Sequence, residues 1–110
     1  MTKVTIYKNL QNECVGFQAL GHAGYAEEGE DIVCAAISIL TINTMNAIET
    51  FTDAVTSLVQ DEEQAKIEFR VKSSTRETTL LLNAMVLGLE TVANDKNYAD
   101  YIDLKFEEVQ

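Results

Sequence analysis

The chain has 110 residues, 46% of them apolar, no proline and no tryptophan, and a formal charge of −10 from 18 acidic against 8 basic side chains. This length accommodates one domain with a real core and leaves no room for a second, so residues 1–110 are read as a single domain. Strong acidity argues against a nucleic-acid partner, which needs clustered Lys and Arg; it suits a basic peptide or protein, or serves solubility alone.

The first eight residues, Met1 to Lys8, alternate polar and apolar and lack the apolar core of a signal peptide. No run approaches the ~18 apolar residues of a membrane span, so no membrane partner is expected. Two cysteines make no disulfide framework, and a reducing cytosol follows as the natural compartment.

Val4 and Ile6 on one side and Lys3, Thr5 and Tyr7 on the other predict a half-buried strand. Asn9 to Glu13 is turn-like, and Val15, Phe17 and Ala19 give a second strand, paired with the first as a hairpin. An apolar seam at Val33, Ile37, Leu40, Thr44, Ile48, Phe51, Val55 and Leu58 predicts a helix of roughly seven turns. Asp31 is its expected N-cap, which puts Cys34 at the third helical position. An acidic turn from Gln60 to Gln64 leads to a third strand in which Ile67, Phe69 and Val71 alternate with charged residues. Ser73, Ser74 and Thr75 offer caps for a second helix, ended by Asn94 to Asn97 and carrying Leu81, Met85, Gly88, Leu89 and Val92. Gly88 costs roughly 1 kcal/mol relative to alanine inside a helix, which points to a close approach there. The apolar surface of this helix extends around most of its circumference and suggests a homodimer. Ile102, Leu104 and Phe106 form a last strand. The order is ββαβαβ, an α+β fold with two helices packed on a largely antiparallel sheet.

His22, the only histidine, and Cys34 bracket a glycine-hinged acidic stretch. A thiol in the first helical turn meets free backbone N–H groups and the positive end of the dipole, which favour the thiolate. An imidazole within reach takes the thiol proton and returns it to a leaving amine. Each residue alone has a blander reading: His22 as an inert loop residue, Cys34 as a small buried hydrophobe. Asp31 reads first as a cap and second as an orienter of His22. Ser38, one turn beyond Cys34, bonds either to the site or to a backbone carbonyl. Gly24 and Gly29 would hinge a gating loop carrying Tyr25, Glu27, Glu28 and Glu30, or that loop is merely solvated. Asp61 to Glu63 read as ordinary surface charge on a separate turn, and Cys14 reads as structural. One histidine and two cysteines without close spacing do not make a zinc site, the glycines do not fit a phosphate loop, and neither metal nor cofactor is expected.

Gly21-His22-Ala23 followed by Gly29-Glu30-Asp31-Ile32-Val33-Cys34-Ala35-Ala36-Ile37-Ser38 closely resembles the signature of the Prp family of ribosomal-processing cysteine proteases. The likeness extends over the whole chain. It implies His22 as general base, Cys34 as nucleophile, and Gly21, Asp31 and Ser38 as supporting positions. It further implies a cytoplasmic, metal-independent homodimer. Its substrate would be the precursor of large-subunit ribosomal protein twenty-seven, cut behind a phenylalanine-rich stretch that precedes an alanine and lysines. The competing expectations are a non-catalytic binding or assembly module for a ribosomal protein, and a structural dimer working through its second helix.

Overall fold

The computed structural model describes residues 1–21 and 28–110. Five strands form one sheet in the order β3-β4-β2-β1-β5. β1 is Thr2–Lys8, β2 Cys14–Leu20, β3 Thr56–Asp61, β4 Lys66–Val71 and β5 Ile102–Glu108. The two helices are α1, Glu28–Phe51, and α2, Arg76–Asn94, and a single 3₁₀ turn at Ala99–Tyr101 precedes β5. Three pairings are antiparallel, and β5 alone runs parallel to its neighbour β1. The α+β architecture with two helices on a largely antiparallel sheet is as the residue pattern predicts. The element order is ββαββαβ, one strand richer than expected.

That extra strand is β3, and the helical seam had hidden it. Val55 and Leu58 continue the three-and-four spacing of α1, yet the helix ends at Phe51. Thr52 turns its hydroxyl back to the Ile48 carbonyl at 2.6 Å and accepts from the Ala54 amide at 3.2 Å, redirecting the chain. Thr56–Asp61 then pairs along β4 as an exposed edge strand. Its adjacent Leu58 and Val59 break the alternation by which a strand is recognised.

The other end of α1 also departs from expectation. The helix already runs at Glu28, so Asp31 lies inside it as an exposed residue rather than capping it, and Cys34 is the seventh helical residue. Gly29 is likewise helical, and a Cβ there would meet the Tyr101 ring at 2.7 Å. Glu28, Gly29 and Glu30 therefore belong to the first helical turn, not to a hinged loop.

Helix α1 is anchored by Val33, Ile37, Thr41, Thr44 and Ile48, all buried. Residues Gly29–Phe51 are long and apolar enough to cross a membrane, a property that core helices share. Here the seam packs against α2 and the sheet core. Leu40 of α1 lies against Gly88, where a Cβ would come within 2.7 Å of a leucine methyl, which is the close approach the glycine was expected to serve. Helix α2 opens on a capping box between Thr75 and Thr78 and buries Leu82, Met85, Val86 and Leu89. On the sheet face beneath, Val4 and Ile6 pair with Ala19 and Phe17, and Phe17 packs against Phe69 with ring centroids 5.8 Å apart.

Candidate active site

Three elements meet around Cys34. Helix α1 brings Cys34 and, one turn on, Ser38; Gly21 follows the end of β2; the β3–β4 hairpin brings Gln60, Asp61, Glu62, Ala65 and Lys66. Together with Ile67 they line a cleft of about 300 Å³. A narrower recess of about 80 Å³ shares Cys34, Gly21, Ser38, Ala65 and Ile67, and reaches Thr2, Ala19, Ile37, Thr41 and Ile42. The thiol thus stands where an open cleft meets a mostly apolar recess, partly exposed rather than sealed.

The wall opposite Cys34 is held by backbone. The Gly21 amide donates to the Ala65 carbonyl at 2.8 Å, joining the end of β2 to the β3–β4 turn. Ala65 has φ 51°, in the left-handed region, a conformation that costs a non-glycine residue about 1 kcal/mol or more. Asp61 steadies the same turn, its Oδ1 accepting from the amides of Glu63 at 3.0 Å and Gln64 at 3.3 Å. Asp61 and Glu62 therefore front the cleft, correcting their reading as surface charge remote from the site. Below Cys34 the Thr2 hydroxyl lies 3.8 Å from Sγ.

Of the residues singled out from sequence, the structure brings Gly21, Cys34 and Ser38 together on one cleft. Asp31 stays on α1 but lines neither the cleft nor the recess. His22, Gly24, Tyr25 and Glu27 lie outside the described residues. Cys34 in the second turn also alters its electrostatics. The four free N–H groups of a helix belong to its first residues, here Glu28 to Asp31, and the dipole acts mainly within that turn. Activation of the thiol by the helix start is therefore weaker than a third-position cysteine would enjoy.

Residues of the cleft and recess to which the sequence assigns no role in a site include Thr2, Gln60, Asp61, Glu62, Ala65 and Ile67. Thr2 had a signal, since it shares the parity of Val4 and Ile6 and so the buried face. The turn residues had none, because only the unrecognised β3 carries them to the cleft. A larger cavity, about 780 Å³, is at the other end of α1 between Phe51, Val55, Lys72 and Glu77, and neither cysteine lines it. Among the described residues no group of three or more His, Cys, Asp or Glu is arranged to hold a metal ion.

Residues 1–103 match the family model described as Cysteine protease Prp. The chain is similar to the "Ribosomal processing cysteine protease Prp" of Staphylococcus aureus, 32% identical over 98 residues, covering 88% of this chain and 92% of the relative. The Bacillus subtilis protein of the same name is 27% identical over 100 residues, covering 86% and 89%. Among solved structures, the "Essential Ribosomal Processing Protease Prp from S. aureus in complex with a Substrate Peptide" superimposes with a TM-score of 0.88 at 27% identity, covering 97% of this chain and all of that one.

Proposed function

The chain belongs to the Cysteine protease Prp family and is a cysteine protease, and on that premise we propose that residues 1–110 form one domain that trims the N-terminal extension of a ribosomal protein through a Cys34–His22 dyad. The observation that carries this reading is that Cys34 lines one cleft with Gly21, the residue that precedes His22 in the chain.

Hydrolysis then runs through a thioester. His22 takes the proton from Cys34 Sγ, and the thiolate attacks the scissile carbonyl to give a tetrahedral oxyanion. Collapse expels the amine, which takes the proton from His22. Water, deprotonated by His22, then releases the acyl group and restores the thiol. Ser38 stands one helical turn from Cys34 on the same cleft, where its hydroxyl offers a hydrogen bond to the bound chain. Asp31, three residues before Cys34 on α1, serves as a supporting position of the motif rather than a reacting group.

The substrate this reading favours is the precursor of large-subunit ribosomal protein twenty-seven, met in the cytoplasm and presenting a basic segment near the cut. Asp61 and Glu62 outnumber Lys66 on the cleft, and with the net charge of −10 they complement lysines. A homodimer is favoured by apolar residues left outside the core: Leu80 and Leu87 of α2 are 67% and 68% exposed one heptad apart, and Ile39 of α1 is 70% exposed. Sedimentation at micromolar concentration should give a mass twice that of the chain.

The deciding experiment is mass spectrometry of the precursor after incubation with wild type, Cys34→Ala and His22→Ala. Loss of the extension with wild type alone supports the dyad. Cleavage persisting in either variant overturns the assignment, and binding of the precursor by wild type without cleavage would favour an escort role.

A further inference from the structure

Thr2 belongs to no recognised motif of this chain, yet it is the nearest polar side chain hydrogen-bonded to the Cys34 sulfur among the described residues. It is 2% exposed, the first residue of β1, on the helix-facing side with Val4 and Ile6. Its Oγ1 lies 3.8 Å from Cys34 Sγ, which is its side chain's hydrogen-bond partner among the described residues. Thr2 and Cys34 also share the 80 Å³ recess. A buried hydroxyl normally has a competent acceptor. A neutral thiol is a poor one, and the long separation fits that weakness. A thiolate is a charged acceptor, and bonds to charged acceptors are shorter and roughly twice as strong.

We propose that Thr2 is a positioning residue for the nucleophile: its hydroxyl gains its full hydrogen bond only when Cys34 ionises, so it favours the thiolate and holds Sγ at the junction of recess and cleft. The proposal rests on Cys34 being the nucleophile, as argued above. It also offsets the loss of helix-start assistance at the seventh helical position, because a donor on the sheet replaces donors that α1 does not present there. The proton leaving Sγ goes to the base, and Thr2 keeps its own throughout. When the thioester forms, the sulfur is neutral again and the Thr2 bond weakens, so the hydroxyl assists attack without holding the acyl-enzyme.

The test compares Thr2→Val, which keeps shape and removes the hydroxyl, with Thr2→Ser, which keeps the hydroxyl. Cys34 alkylation by iodoacetamide is followed against pH by peptide mapping, alongside cleavage of the ribosomal precursor. Thr2→Val should move the alkylation midpoint to higher pH, slow labelling near neutrality about tenfold, and lower kcat by a similar factor with KM unchanged. Thr2→Ser should restore both. Thr2→Ala provides a second hydroxyl-free variant should the valine not fit the recess. An alkylation profile in folded Thr2→Val or Thr2→Ala that overlays wild type overturns the proposal, as does a Thr2→Ser that behaves like valine. Failure of the protease reading looks different: wild type then leaves the precursor intact while the alkylation shift persists.

Discussion

The two cysteines lie near opposite ends of β2, Cys14 opening the strand and Cys34 beside Gly21 after its close, and they have little else in common. At the Cys14 end a network of side-chain hydrogen bonds ties down the β1–β2 turn. Asn9 accepts at Oδ1 from the amides of Gln11 and Glu13, and its side chain donates to the Glu13 carboxylate, which also receives the Ser74 hydroxyl. The Asn9 and Ser74 hydrogen bonds hold the Glu13 carboxyl below its usual range. Cys14 is fully buried, its Sγ 3.7 Å from the Gly16 carbonyl, and burial pushes its thiol up. At the Cys34 end the packing opens into a cleft and a recess, and Ala65 keeps a left-handed backbone to shape the wall. One end buries its thiol beneath a hydrogen-bonded turn; the other sets its thiol on a cleft. On the proposed reading the buried thiol is expected to be inert and the thiol on the cleft reactive.

Thiol chemistry gives the sharpest expected separation. Iodoacetamide near neutral pH should label Cys34 in the folded protein at least about tenfold faster than Cys14, read by peptide mapping. Cys14→Ala should leave turnover intact, whereas Cys34→Ala should abolish it. Faster labelling of Cys14 would break the contrast outright.

Two glycines extend the comparison from sulfur to backbone. A Cβ on Gly16 would stand 2.2 Å from the Phe69 carbonyl oxygen and 2.9 Å from the Arg70 Cα, atoms of a paired strand that cannot give way. Gly16→Ala should therefore cost about 3 kcal/mol, lowering Tm by roughly 10–20 °C. At Gly21 the nearest atoms would be Ala65 O at 3.4 Å and Ala65 Cβ at 3.5 Å, an ordinary contact. Gly21→Ala should keep Tm within a few degrees, about 1 kcal/mol or less, and lower kcat/KM instead, because the new methyl enters the cleft. Equal thermal losses in the two variants would mean that the cleft end is as tightly packed as the other.

How much of this was legible in the sequence follows from the same contrast. Val4, Ile6, Phe17, Phe69 and the seam of α2 obey simple periods because they serve one core, and they yield the fold class. The Gly-His and Cys-Ala-Ala-Ile-Ser segments yield the family because their spacing is specific. The helix start is not legible in the sequence because Asp31, a good cap by type, follows Gly29, whose fit against Tyr101 is a tertiary matter. β3 was lost because an edge strand exposed along most of its length needs no alternation, and with it went Asp61 and Glu62. Thr2 could be assigned to the buried face, but nothing in the chain announces that a sulfur waits above it.

A smaller effect is expected from the carboxylates that β3 brings in. Asp61→Asn with Glu62→Gln keeps the turn, since asparagine retains an acceptor for the Glu63 and Gln64 amides. KM for a lysine-bearing substrate should rise about threefold to fivefold with kcat little changed, as exposed charge pairs contribute up to ~1 kcal/mol. Wild-type kcat/KM should fall as salt rises, because screening shortens to about 8 Å near 0.15 M, and the double variant should show a flatter slope. Neutralising Glu27, Glu28 and Glu30 together provides the control: if that set flattens the slope and the turn pair does not, the charge that meets substrate precedes Cys34 rather than facing it.

The smallest expected effect lies toward the Cys14 end and concerns pH. Tyr7 sits on the outer face of the sheet opposite Gly16, its hydroxyl donating to Glu68 at 2.9 Å and its ring 5.2 Å from the Arg70 guanidinium carbon. Burial, then the Glu68 hydrogen bond and charge, push its pKa from 10.0 up to about 12. The folded state therefore holds the phenolic proton more tightly than the unfolded chain. Stability from this source is fully present below pH 10 and is lost as pH rises through about 12. Denaturant titrations at a series of pH values should show wild type weakening across that window, with Tyr7→Phe starting lower but declining less steeply. The Cys34 cleft opens on the helix side of the sheet and is untouched by this titration, so cleavage by the two proteins at pH 8 should agree. Parallel alkaline decline in both would mean that Tyr7 is solvated, and that the Cys14 end is looser than its hydrogen bonds indicate.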